Sequence, residues 1–373
     1  MQGNRMKKYP QLTISRLSEK YLKSGHPWVT ADKYTGDFKK IPSGTVVDLV
    51  SDIGLFLGRG IITPQEDILV RLLTTNPDVA IDPAFLVQRL KAAVALRQPI
   101  LSGGDTTVCR LVNGEGDFLP GLIVDYYDGF VLVVLHSLGL KSFLPGMLET
   151  LRSLLPIRGI YQKNRPKNPR EALLQEDSAE FLGELIWGEA APEEIVVREA
   201  GLSFVVRCRD VFHTGLFLDQ RENRSRLARY CQGKNVLNLF CHTSSFSVYA
   251  ARHGALTTEN VDVSQNFLNW SRQNFDQNGL DPEKHLCVRE DVFVHLKRAI
   301  KNNRRFDIII IDPPPFSSSK KSEFSQDKSY VGIARLAMQV VAPAGILVFC
   351  ANMSKLGMDK FKNSLHEAAL VLK

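Results

Sequence analysis

Residues 306–316, Phe-Asp-Ile-Ile-Ile-Ile-Asp-Pro-Pro-Pro-Phe, restrict the possible folds more than any other stretch of the chain. Four consecutive isoleucines show no alternation of apolar and polar residues. Such a run fits a central strand of a parallel sheet, covered on both faces. The strand ends at Asp312. Three prolines follow, and proline neither donates to a ladder nor rotates freely at φ, so the backbone leaves the sheet abruptly. In open α/β sheets, ligands lie beyond the carboxyl ends of the strands. Asp312, Pro313, Pro314 and Phe316 would therefore bring a carboxylate, rigid carbonyls and an aromatic ring to that crevice. A nucleobase suits these groups, since its ring stacks and its N–H groups donate to carbonyls. The plainer alternative is a strand end closed by a proline turn.

From Ile195 onward strands and helices alternate. Lys234–Phe240 is the expected first parallel strand, and the small-residue turn after it opens a helix, the position of the cofactor loop in doubly wound folds. Serines and a threonine (His242-Thr-Ser244-Ser) stand where glycines are more usual. Asp262 lies about twenty positions on, suited to ribose hydroxyls, and Asp291 ends a third strand. There is no Gly-x-Gly-x-x-Gly and no Gly-x-x-x-x-Gly-Lys-Ser, which weighs against nicotinamide cofactors and a P-loop. Asp262, Asp291 and Asp312 at successive strand ends suit a sugar, an amino group and a reacting centre. S-adenosylmethionine presents all three needs. Each aspartate alone is equally consistent with capping the next helix.

The 373 residues are enough for two or three domains, and 44% hydrophobic and 23% charged residues describe an ordinary globular protein. No apolar run approaches the ~20 residues of a membrane span, and no apolar segment follows the basic N-terminus, so neither membrane nor secretion is expected. Six cysteines without metal-type spacing point to reduced thiols, a cytoplasmic location and no metal site. A net charge of +7 favours a polyanionic partner. Residues 10–75 are expected to form a small β-barrel. Its Arg16, Lys20 and Lys23, with Arg59 and Arg71, would line an RNA groove or simply face solvent, and Trp28 is either a stacking platform or core. Residues 84–192 read as a small α+β domain with a helix over Phe85–Arg97. Residues 195–373 hold the Rossmann-like sheet.

The chain resembles the RlmI-like bacterial 23S rRNA methyltransferases. The matching stretches are His26-Pro-Trp-Val, Gly116-Asp-Phe-Leu-Pro-Gly-Leu-Ile-Val-Asp125, Thr214-Gly-Leu-Phe-Leu-Asp-Gln-Arg221, Asn238-Leu-Phe-Cys-His-Thr-Ser-Ser-Phe246, Val261-Asp-Val-Ser264 and Asp312-Pro-Pro-Pro-Phe316. The resemblance implies an RNA-binding PUA domain, a small α/β domain and a class I methyltransferase domain. It implies S-adenosylmethionine contacts at Asn238, Phe240, His242, Ser244, Asp262, Asp291 and Asp312, with Gln220 and Arg221 near the methionine end. Lys320 and Lys321 would hold phosphates. The expected partner is 23S rRNA, with no membrane and with a homodimer as the assembly left open.

Two departures bear on the chemistry. Methylation at carbon 5 of cytosine needs a thiolate added at carbon 6. The family's 5-methylcytosine members carry that cysteine after the fifth strand, where this chain has Asn352, and Cys350 lies two residues earlier. The stretch 349–359 and the serines and lysines of 316–321 instead resemble a guanine-N7 rRNA methyltransferase domain. The site thus favours a guanine nitrogen, and the domain order cytosine carbon 5. The sequence also stops at Lys373, before the antiparallel strand pair that usually finishes such a sheet, so either a shortened sheet or a truncated chain is expected. A non-catalytic RNA-binding or ribosome-assembly factor with this fold is the alternative function.

Overall fold

The computed structural model describes residues 8–65, 68–136, 138–164, 183–209, 213–281, 283–314, 328–351 and 356–370. By internal packing the chain divides into two compact units, Met1–Ile195 with Cys208–Phe212, and Val196–Arg207 with His213–Lys373.

In the first unit, β1 (Gln11–Thr13), β2 (Trp28–Thr30), β3 (Val46–Val50), β4 (Phe56–Gln65) and β5 (Ile68–Thr74) form one sheet in the order β1-β3-β4-β5-β2. Helix α1 (Arg16–Lys23) begins where Ser15 accepts from the Ser18 N–H. Helix α2 runs from Pro83 to Ser102, past the expected end at Arg97. Pro99 lies inside the helix, in its last turn, where it cannot donate to the carbonyl four residues back and so costs the helix one rung. The strands β6 (Val108–Asn113), β7 (Leu122–Tyr127), β8 (Phe130–Leu135), β9 (Gly159–Asn164) and β10 (Glu184–Gly188) form a second sheet, order β10-β9-β8-β7-β6, with α3 (Leu144–Leu154) preceding β9.

The stretches 10–75 and 84–192 share one core. Ile61 and Leu73 pack in the same cluster as Leu86, Leu90 and Leu111. Arg71 is buried in an ion pair with Glu115, and the Trp28 indole donates to Glu115 at 2.7 Å. Arg59 is likewise buried, 2.6 Å from Asp48. These two arginines and the polar end of Trp28 therefore serve the interior of the unit.

The second unit contains a hairpin, β11 (Ile195–Glu199) and β12 (Leu202–Val206), and a five-stranded sheet of β13 (Asn235–Leu239), β14 (Thr257–Asp262), β15 (His285–Arg289), β16 (Phe306–Ile311) and β17 (Val341–Phe349). The order is β15-β14-β13-β16-β17, and all four pairings are parallel. The helices α4 (Arg221–Ala228), α5 (Ser245–Arg252), α6 (Gln265–Gln277), α7 (Val292–Lys301), α8 (Lys328–Val340) and α9 (Met358–Leu370) complete the unit. Strand β17 starts at Val341, four residues before the expected Gly345, directly after α8.

Strand β16 behaves as its isoleucines require. Ile309 and Ile311 pack with Leu296 of α7 and Ile333 of α8, while Ile308 and Ile310 pack with Leu227 of α4 and Phe246 of α5. All four are fully buried, each contributing roughly 1.5–3 kcal/mol of transfer free energy. Strand order reverses between β13 and β16, so the chain after each of these two strands departs over one crevice.

Candidate active site

The loop after β13 is built from backbone conformations that glycine usually supplies. Phe240, His242 and Ser244 all have positive φ, at 57°, 51° and 59°. A side chain in this region costs on the order of 1–2 kcal/mol, so the loop persists only if its surroundings fix it. They do so through side-chain hydrogen bonds. The Ser244 hydroxyl donates to Ser271 at 2.8 Å, and Thr243 donates to the Gly215 carbonyl at 2.5 Å. The Asn274 amide donates to the Thr243 carbonyl at 2.9 Å, and the His242 N–H donates to Asp262 at 3.1 Å. Ser271 and Asn274 are not among the residues the sequence reading singles out. The helical register carries a signal for both, since Ser271 and Asn274 lie on the buried face of α6 beside Leu268 and Phe275.

Asp262 closes β14 and accepts from both His242 N and Ser264 N. Burial raises its pKa, and those backbone donors oppose the rise. Asp291 ends the loop after β15 and caps α7, with one oxygen accepting from Phe293 N at 2.9 Å and Val294 N at 3.2 Å. Asn238 is buried in β13 and donates to Ser247 at 2.9 Å. The His242 ring packs 4.5 Å from Phe267 and 4.9 Å from Phe217, centroid to centroid. Burial holds it neutral, and its Nε2 has no hydrogen-bond partner among the described residues.

Across the crevice, Asp312 follows β16 and is half-buried. Burial first, and then the neighbouring Asp219, push its pKa up to about 6, against the pull of Arg224. The Gln220 amide donates to Asp312 Oδ2 at 3.3 Å. Pro313 is buried and Pro314 exposed. The Cys350 N–H donates to the Ile311 carbonyl at 2.9 Å, which sets the Cys350 thiol close to Asp312. Burial, and then Asp312, push that thiol up to about 12.

Beneath this cluster lies a buried ion pair that no local sequence signal marks. Arg224 and Glu199 are both fully buried and joined by two hydrogen bonds of 2.8 and 2.7 Å. Arg224 also donates to the Phe217 carbonyl at 2.8 Å, and the Tyr249 hydroxyl donates to Glu199 at 3.0 Å. Arg221 pairs with the exposed Glu222 at 3.4 Å. On α1, Arg16 pairs with Asp52, Lys23 pairs with Glu19 at 2.5 Å, and Lys20 is exposed. Phe316, Lys320, Lys321 and Asn352 lie outside the described residues.

A reversed parallel sheet, with a strained polar loop after its first strand and carboxylates at the next strand ends, is the class I methyltransferase architecture. The residue set suits S-adenosylmethionine: carboxylates accept from hydroxyl and amino groups, and beside them stands the neutral His242 ring, whose Nε2 has no partner among the described residues. Comparison with known proteins agrees. Residues 109–372 match the S-adenosylmethionine-dependent methyltransferase family, and residues 12–75 match a PUA-like domain. The chain belongs to this methyltransferase family.

A Bacillus subtilis protein named as a ribosomal RNA large subunit methyltransferase, YwbD, is 35% identical over 96% of this chain and 89% of its own length. Ribosomal RNA large subunit methyltransferase I of Aeromonas hydrophila is 34% identical over 94% of this chain and 88% of its own. A protein described as a methyltransferase and solved with SAH superposes with a TM-score of 0.84, at 29% identity over 96% of this chain and 90% of that one. Among the described residues, no helix is long and apolar enough to cross a membrane.

Proposed function

We propose that this chain methylates a base of 23S rRNA in the cytoplasm, and that the atom modified is a nitrogen, a guanine nitrogen being favoured. The observation that carries the RNA substrate is the similarity to proteins named as large-subunit rRNA methyltransferases. It runs through the PUA-like module and the methyltransferase module alike. The cofactor, when bound, supplies an electrophilic methyl group on a sulfonium.

The residues of the chain orient the base and offset the charge it gains. A flipped base enters the crevice after β16, where Asp312 and the carbonyls of Pro313 and Pro314 accept from its N–H groups and Phe316 stacks on it. Asn238, Phe240, His242, Ser244, Asp262 and Asp291 hold the cofactor from the other strand ends, with Gln220 and Arg221 toward its methionine end. Arg16, Lys20, Lys23, Lys320 and Lys321 contact RNA phosphates. As the nitrogen lone pair takes the methyl and the sulfonium carbon–sulfur bond breaks, the base gains positive charge, which ionised Asp312 offsets while it accepts from the base N–H groups.

The nitrogen assignment rests on Asn352, which stands where the 5-methylcytosine members carry their cysteine, and the buried Cys350 thiol is consistent with it. A thiol at about 12 is almost wholly protonated at neutral pH, whereas addition to carbon 6 of cytosine needs a thiolate. Cys350→Ala is therefore expected to keep its rate within about threefold of the native protein. A loss of a hundredfold or more, with methyl found on cytosine in the native reaction, would sink the nitrogen assignment.

A further inference from the structure

The amide of Gln220 has two unlike ends, and only the NH2 end donates. Its Nε2 lies 3.3 Å from Asp312 Oδ2, while its Oε1 accepts from the Asn223 amide at 2.7 Å. An amide gripped at its oxygen by a donor turns its NH2 outward. Gln220 and Asn223 are three apart at the start of α4, the spacing at which helical side chains meet. The turn that carries them is pinned from below by Arg224, which donates to the Phe217 carbonyl and is locked to Glu199.

We propose that Asn223 is a positioning residue for methyl transfer: by donating to Gln220 Oε1 it fixes which end of that amide faces Asp312. With NH2 toward it, Asp312 is stabilised as an acceptor on one oxygen, and its other oxygen is left for the base. With the amide reversed, a carbonyl oxygen would face the carboxylate and favour its protonated form. Asn223 acts only through Gln220. This inference rests on Asp312 being the carboxylate that faces the base.

The charged and titratable groups facing Asp312 among the described residues are Asp219 and Arg224 from the turn and helix around Gln220, Tyr330 from α8 and Cys350 after β17. None of them is altered by changes at Asn223, which is exposed. The test is the pH profile of kcat/KM in full-length variants with native melting behaviour. Asn223→Asp presents only acceptors, so Gln220 should reverse and the acid limb should move up by about one pH unit. Asn223→Ser keeps a donor and should leave the limb in place.

Asn223→Asp also adds an exposed charge, whose influence falls away at about 0.5 M salt. A reversed amide is indifferent to salt, so the shift should persist there. A limb that does not move, or one that returns to its native place in high salt, would overturn the role of Asn223. Asp312→Asn, run in parallel, separates the two levels. If it retains native activity, the underlying role of Asp312 fails. If it is inactive while Asn223→Asp behaves as native, only the positioning role fails.

Discussion

Replacing Asp312 by asparagine is expected to lower methyl transfer at pH 8 by about a hundredfold or more, the usual loss on removing a group positioned to offset developing charge. The asparagine fills the same space and leaves the proline turn intact, so the loss reports the carboxylate. The native protein should show its own signature. Burial and Asp219 set the Asp312 pKa at about 6, and only the ionised carboxylate offsets the positive charge the base gains. The rate should thus be level above neutrality and fall to half near pH 6 as the pH is lowered. In Asp312→Asn that limb should vanish along with the activity. A variant with native kcat/KM would show that the base is held by other groups.

The second large effect concerns stability. Arg224→Ala leaves Glu199 charged and fully enclosed, and Glu199→Ala does the same to Arg224. Breaking a buried pair from one side costs about 3–5 kcal/mol. In a unit of this size each kcal/mol is worth roughly 2–4 °C in Tm. Either single variant should therefore melt roughly 6–20 °C below the native protein. Removing both charges is different. A Glu199→Leu, Arg224→Met double variant fills similar volume without an orphaned charge, and should recover most of the loss. Near-native melting of the single variants would mean that water reaches the pair. Thermal melting with and without S-adenosylmethionine is the measurement.

Much of the second unit was legible because its signals are local. The isoleucines of β16 need two covered faces, and both were found, with Ile309 and Ile311 on one and Ile308 and Ile310 on the other. The aspartates after β14, β15 and β16 stand at strand ends because a carboxylate there meets free N–H groups, as Asp262 and Asp291 do. What could not be read depends on long-range pairing. Glu115 and Arg71, 44 positions apart, join stretches that look like separate domains, and nothing local marks either as buried. Arg224 and Glu199 are likewise 25 apart. The polar loop after β13 was visible as a departure from glycine. Its cause was only half visible: the register puts Ser271 and Asn274 on the buried face of α6, but nothing local says that they meet this loop.

The most direct test of the whole account uses the full-length protein, protein-free 23S rRNA and S-adenosylmethionine labelled in its methyl group. The modified RNA is digested and the labelled nucleoside identified by mass. Label is expected in a methylated guanine, with the methyl on nitrogen. Label in 5-methylcytosine would contradict the nitrogen target and return Cys350 to the chemistry, and no label in RNA that the protein nevertheless binds would contradict catalysis itself.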